Sequence, residues 1–230
     1  MKRKWIKRFA ILSIGLVLAF IGYRYRYDLI DIYRDWTGWQ IEENPRPEGV
    51  STLEWAEMNY KEEMLELSKK YDVPYEYLMA LLVLECSGER PAGHRYEPGI
   101  MKKLEKVKAG TYRKFENIFP HDLQGCDDSC LENLATSWGP FQLMGYKAIP
   151  LGVNVSELRD EEEAAEIGVK WIEQEYGHFL KKKKYKDAFH YHNTGDRFPL
   201  NGKSKTHHPY YVSDGLRYMK YFEKRKVLEN

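Results

Sequence analysis

Residues 78–84 read LMALLVL, seven apolar residues in unbroken succession, and the next residue is Glu85. A run that is apolar on every side of a helix is expected to form a buried central one. Asp72 is placed to cap its start near Pro74, and Gly88, three residues beyond the glutamate, is placed to stop it. Helical patterns recur on both sides. The stretch STLEWAEMNYKEEMLELSKKY at 51–71 opens with Ser51 and Glu54 at capping-box spacing, and Trp55, Met58 and Leu65 follow at helical intervals. Others run near 98–108, 129–136, 160–176 and 209–225, with long connections between 86 and 140. No stretch alternates as a strand would. The expected fold class is mostly α.

This folded part is expected to occupy residues 51–230, behind three shorter segments. Residues 1–8, MKRKWIKR, carry five positive charges and no negative one. Phe9 to Gly22, FAILSIGLVLAFIG, carries no charge at all. These 14 residues fall short of the usual ~20 for a membrane span, but Trp5, Ile6 and the YRYRY at 23–27 extend them into both interfaces. Residues 9–23 are therefore read as an uncleaved transmembrane anchor. A cleaved signal peptide is the competing reading, because the run also suits an h-region. In both cases the basic end stays in the cytoplasm and the remainder is exported. The expected protein is single-pass, with its folded domain in the periplasm or the extracellular wall space. Residues 24–50, broken by ENPRPEG, are read as a juxtamembrane stalk.

Formal net charge is +1, but without residues 1–8 the balance is 31 basic against 35 acidic residues. A nucleic-acid-binding domain is usually basic as a whole, and this one is not. The KKKKYK at 181–186 reads as a solvated turn with some affinity for anionic polymers. Export gives the cysteines meaning. Cys126 and Cys130, separated by DDS, can close a small disulfide loop in an oxidising compartment, leaving Cys86 buried and unpaired. Zinc held by Cys126, Cys130 and His121 is the alternative, but it lacks a fourth ligand. No metal and no cofactor is expected.

The chemistry is expected where the apolar run ends. A carboxylate at the mouth of an apolar helix loses solvation, which raises its pKa towards neutrality and lets it hold a proton to donate. That is the requirement for a general acid in glycosidic cleavage. A plainer reading is a glutamate that surfaces where its helix stops. A second stretch, SWGPFQLMG at 137–145, combines two glycines, a proline, two aromatics and a single amide, Gln142. Neither an ordinary core helix nor a surface loop calls for that mixture.

Three motifs, ECSG at 85–88, SWGPFQLMG at 137–145 and YHNTG at 191–195, occur in an order that resembles the lysozyme-like superfamily of soluble lytic transglycosylases and goose-type lysozymes. The resemblance covers about residues 60–222. It implies a lysozyme-like helical domain that cleaves peptidoglycan between N-acetylmuramic acid and N-acetylglucosamine, with Glu85 as general acid and base. It further implies substrate contacts from Ser137, Gly139, Gln142, Met144, Tyr191, His192 and Asn193. Gly139 would let the backbone approach a sugar ring, and Gln142 would supply a donor and an acceptor to it. Trp138, Phe141 and Met144 would wall the cleft or anchor the loop beneath it. Three departures stand out: His192 replaces the family's usual Tyr, Cys86 its usual Ser, and Pro140 stiffens the loop. Hydrolysis would require a second carboxylate about 5–5.5 Å from the acid for retention or about 6.5–9.5 Å for inversion. Glu97, Asp127, Asp128 and Asp196 are the candidates, Glu97 being equally a partner for Arg95 or Arg90. A lytic transglycosylase needs none, and that reading is preferred over a hydrolytic muramidase. An inactive wall-binding or scaffold protein is the alternative of another class.

Overall fold

A computed structural model of the chain describes residues 45–228. The basic segment, the expected anchor at 9–23 and the stalk through residue 44 lie outside the described residues. Among the described residues no helix is long and apolar enough to cross a membrane.

The chain is mostly helical. Helix α1 (Thr52–Tyr71) starts at the capping box expected of Ser51 and Glu54: each side chain takes the other's backbone N–H. The apolar run lies in α2 (Tyr75–Cys86), where Tyr77 through Val83 are all buried. Asp72 does not cap α2. It ends α1 in the left-handed conformation with φ of 53°, its N–H on the Ser68 carbonyl, and Pro74 takes the N-cap position. Only three residues connect the helices, and the first is spent in ending α1, so Pro74, which has no side-chain group to offer, falls at the start of α2. At the far end Ser87 and Gly88 both turn left-handed, with φ of 56° and 72°. A Cβ on Gly88 would lie 2.8 Å from Ala56 of α1, so the residue expected to stop the helix also lets the two helices close.

The connection from 86 to 140 contains α3 (Pro98–Lys108), a 3₁₀ turn (Pro120–Leu123) and α4 (Asp128–Leu134). It also contributes two strands of a small antiparallel sheet in the order β1 (His94–Tyr96), β2 (Thr136–Trp138), β3 (Leu143–Met144). His94 pairs with Trp138 and Ser137 with Met144. With two or three residues each, these strands are too short for an alternating pattern to register. Cys126 and Cys130 form the expected disulfide, which ties the chain just ahead of α4 to the first turn of that helix. Cys86 is free and buried, and its thiol donates to the Leu82 carbonyl.

After the short α5 (Ala148–Leu151) come α6 (Glu161–Lys181), α7 (Tyr185–Thr194) and α8 (Tyr211–Leu228). Helices α1 and α8 make the most extensive packing around α2, and α7 packs on both α6 and α8. Glycines permit two close approaches here. A Cβ on Gly168 of α6 would lie 2.7 Å from the Phe141 ring, and one on Gly215 of α8 would lie 2.8 Å from the Phe189 ring of α7.

Candidate active site

Glu85 is the penultimate residue of α2, so its backbone belongs to the buried helix while its carboxyl emerges at the end of the core. The side chain is 16% exposed. Loss of solvation raises its pKa to about 7, offset in part by a hydrogen bond from Tyr211 and by the charge of Arg95. Tyr211, the first residue of α8, donates its hydroxyl to Oε1. That phenol is itself held well above its ordinary pKa by burial and by the carboxylate beside it, so it stays a donor. With Oε1 accepting, Oε2 is left to carry the acid's own proton.

His192 lies on the other side, with Nε2 3.6 Å from Glu85 Oε1. Its Nε2 also faces the Phe141 carbonyl at 3.2 Å, and its Nδ1 faces the Tyr176 hydroxyl at 2.7 Å. A carbonyl only accepts, so Nε2 carries the proton and Nδ1 accepts from Tyr176. The Tyr77 hydroxyl in turn donates to Tyr176 across 3.2 Å. Burial pushes His192 down to about 4, so near neutral pH the imidazole is uncharged and its contact with Glu85 is not an ion pair. Of the two aromatic residues in YHNTG, His192 therefore faces the carboxyl. Tyr191 turns outward, its hydroxyl 3.4 Å from Glu175.

The hairpin between β2 and β3 is built differently from the sequence expectation. Gly139 has φ of 68° and is buried, and a Cβ there would lie 2.5 Å from the Ala164 methyl of α6. It allows contact with a helix, not with a sugar ring. Ser137, buried at 3% exposure, donates to Gln142 Oε1 at 2.9 Å and lies 3.3 Å from the Arg95 carbonyl. Gln142 is left-handed at φ of 46°, and its Nε2 donates to the Gly139 carbonyl at 3.0 Å and the Gly93 carbonyl at 3.4 Å. Its amide ties the hairpin together and joins it to the chain leading into β1, so both donors are already engaged. Phe141 is buried against Gly168 and anchors the loop. The half-buried Trp138 stacks on His94 and donates its indole N–H to the Asn133 carbonyl at 3.0 Å.

A groove of about 420 Å³ runs past this hairpin, lined among others by Met144, Lys147, Trp171, Tyr191, His192 and Asn193. Glu85 is not among its lining residues. The acid reaches the groove wall through His192, which belongs to both. Asn193 is exposed there and its amide has no hydrogen-bond partner among the described residues, which leaves it available to a ligand. Trp171 is buried with its indole N–H unpartnered.

Glu97 lies elsewhere in its interactions. It is the N-cap residue of α3 and forms an ion pair with Arg95 at 2.6 Å. Asp127 caps α4 through the Cys130 N–H at 2.8 Å. No carboxylate is among the groups that shift Glu85. The disulfide engages both cysteines of the alternative zinc set, and among the described residues no group of three His, Cys, Asp or Glu side chains is arranged to hold a metal ion.

Comparison with protein-family models, with curated proteins and with solved structures finds no match for this chain. The site therefore speaks through its chemistry. A carboxyl group with pKa near neutrality can give a proton and take one back without a change of partner. The Tyr211 hydroxyl donates to its Oε1 when it becomes a carboxylate, and His192 Nε2, whose proton goes to the Phe141 carbonyl, lies 3.6 Å away.

Proposed function

We propose that the protein cleaves the glycan strand of peptidoglycan at the bond between N-acetylmuramic acid and N-acetylglucosamine, as a lytic transglycosylase of the lysozyme-like superfamily. Glu85 protonates the glycosidic oxygen through Oε2 and then accepts a proton from the sugar hydroxyl that closes the anhydro ring. Tyr211 and His192 stabilise the carboxylate formed between the two transfers. Asn193 and the aromatic wall of the groove hold the strand. The observation that carries this reading is the state of Glu85: buried at the end of the apolar helix, with its pKa raised to about 7. A single acid/base residue is enough for the lyase reaction. The Arg95–Glu97 ion pair, which already engages the candidate second carboxylate, supports it over hydrolysis. In this reading the protein works outside the cytoplasm, held at the membrane by residues 9–23.

The test is mass spectrometry of fragments released from purified sacculi by the wild-type protein and by Glu85→Gln. Anhydro-muropeptides are expected from the first, with a loss of at least about 10²–10⁴-fold in the second. Reducing ends in place of anhydro ends would make the enzyme a muramidase. No release by the wild type, or undiminished release by the variant, would overturn the assignment.

A further inference from the structure

The charge of this chain is concentrated. Beyond residue 8 there are 31 basic and 35 acidic residues, and residues 181–208 hold eight of the former and two of the latter. This segment carries +6, and the remaining 23 basic against 33 acidic residues carry −10. Folding then brings its two basic stretches together. Between α6 and α7, the backbone N–H groups of Lys183 and Lys184 return to the Leu180 and Phe179 carbonyls at 2.9 and 2.8 Å. After α7 the chain comes back to the same corner. The Arg197 guanidinium lies 5.1 Å from the centre of the Phe179 ring, and the Phe198 N–H donates to Asp187 at 3.2 Å. The Lys186 ammonium lies 5.9 Å from the Phe198 ring, and the Lys205 N–H donates to His190 at 3.1 Å. Of the eight cations, Lys181 alone is ion-paired among the described residues, with Glu173 at 3.0 Å. The others face water.

A second observation separates the possible partners of such a patch. Leu200 stands at the tip of the turn closed by the Gly202 N–H on the Pro199 carbonyl at 3.0 Å, and its relative exposure is 107%. A solitary exposed leucine needs no explanation, but this one is raised on a turn between Arg197 and Lys203. A soluble polyanion offers an isobutyl group nothing. An anionic bilayer accommodates both features: cations at the headgroup phosphates and the apolar tip at the boundary with the acyl chains. We propose that the 181–186 turn and the 197–205 loop form a face that docks on an anionic lipid bilayer, with Leu200 as the inserted residue. The loop begins two residues after Gly195, which lines the groove, so docking would hold that end of the groove close to the membrane surface.

Leu200→Cys provides the test, because the other cysteines are either disulfide-bonded or buried. The full-length protein, labelled at position 200 with an environment-sensitive dye, is mixed with nanodiscs of pure phosphatidylcholine or with one third phosphatidylglycerol. Docking predicts a blue shift and reduced acrylamide quenching with the anionic discs only, reversed by high salt. Charge removal at Lys182, Lys183 and Lys186 should raise the lipid needed for half the shift by about fivefold per residue. The reporter at position 200 is read apart from residues 9–23, so association through the N-terminal segment alone gives no charge-dependent shift. Identical spectra with the two discs would overturn the proposal. So would a shift produced by soluble polyphosphate but not by the anionic discs, since that would make the partner a polymer.

Discussion

Replacing Glu85 by Gln should stabilise the protein, and by an amount that depends on pH in a defined way. The folded structure holds the Glu85 pKa at about 7 against an ordinary 4.5. Below pH 4.5 the group is protonated in both states and the shift has no effect. Above that value the unfolded chain ionises and gains, while the folded protein keeps its proton until about pH 7. At 1.36 kcal/mol per pK unit, the wild type loses about 3 kcal/mol across this window. Gln has the same shape and can still accept from Tyr211, but it has nothing to ionise. The stability difference, variant minus wild type, should therefore be near zero at pH 4, rise by about 1.4 kcal/mol per unit, and level off near 3 kcal/mol above pH 7. His192 acts with the opposite sign. Its pKa of about 4 lies below its ordinary 6.5, so its contribution is present above pH 6.5 and is lost as pH falls towards 4. Between about 4.5 and 6.5 the two slopes cancel in the wild type, and the Gln variant should expose that of His192. Urea denaturation of both proteins at half-unit intervals from pH 4 to 8 reads this directly. A stability difference that does not change with pH would mean that Glu85 is not a desolvated acid, and the catalytic reasoning would fail with it.

Two more outcomes follow from the hydrogen bonds. Gln142→Ala should cost about 1–3 kcal/mol, because it removes the side-chain hydrogen bonds to Ser137 and to the Gly139 and Gly93 carbonyls that tie the hairpin together, whereas Asn193→Ala should leave the denaturation midpoint unchanged and weaken glycan cleavage. Denaturation curves beside muropeptide release would decide, and the reverse pattern would mean that the roles were misassigned. Alkylation of the native protein should modify no cysteine until reductant frees Cys126 and Cys130, with Cys86 reacting only on unfolding; replacing the pair by serine should cost about 2 kcal/mol for so short a loop.

Local features of the sequence were read well. The apolar run, the capping box at Ser51, the carboxyl at the end of α2 and the Cys126–Cys130 pairing each depend on neighbours a few residues away. The partners that hold the hairpin are remote in sequence, although Phe141, Gln142 and Met144 also line the groove. Gly139 answers to Ala164 and Phe141 to Gly168, both on α6, and Gln142 reaches Gly93. Nothing within residues 137–145 shows that its one amide is already engaged. Tyr211, 126 residues from Glu85, gave no local signal either, beyond a tyrosine pair at the start of a helical pattern. Helix α7 escaped notice because a lysine run leads into it and its buried face has only Ala188, Phe189 and His190 in ten residues.

Gly215 gives the acid a dependence that no contact at Glu85 reveals. Tyr211 and Gly215 are four residues apart on α8 and so share one face of it. The lack of a side chain at 215 lets this face rest on the Phe189 ring of α7. The hydroxyl that tempers Glu85 is thus carried by a helix whose seat is another helix, and that second helix also bears His192 and Asn193. The proton affinity of Glu85 is in this sense a distance, the separation of α7 from α8, and a strand pressing on Asn193 would bear on the same lever.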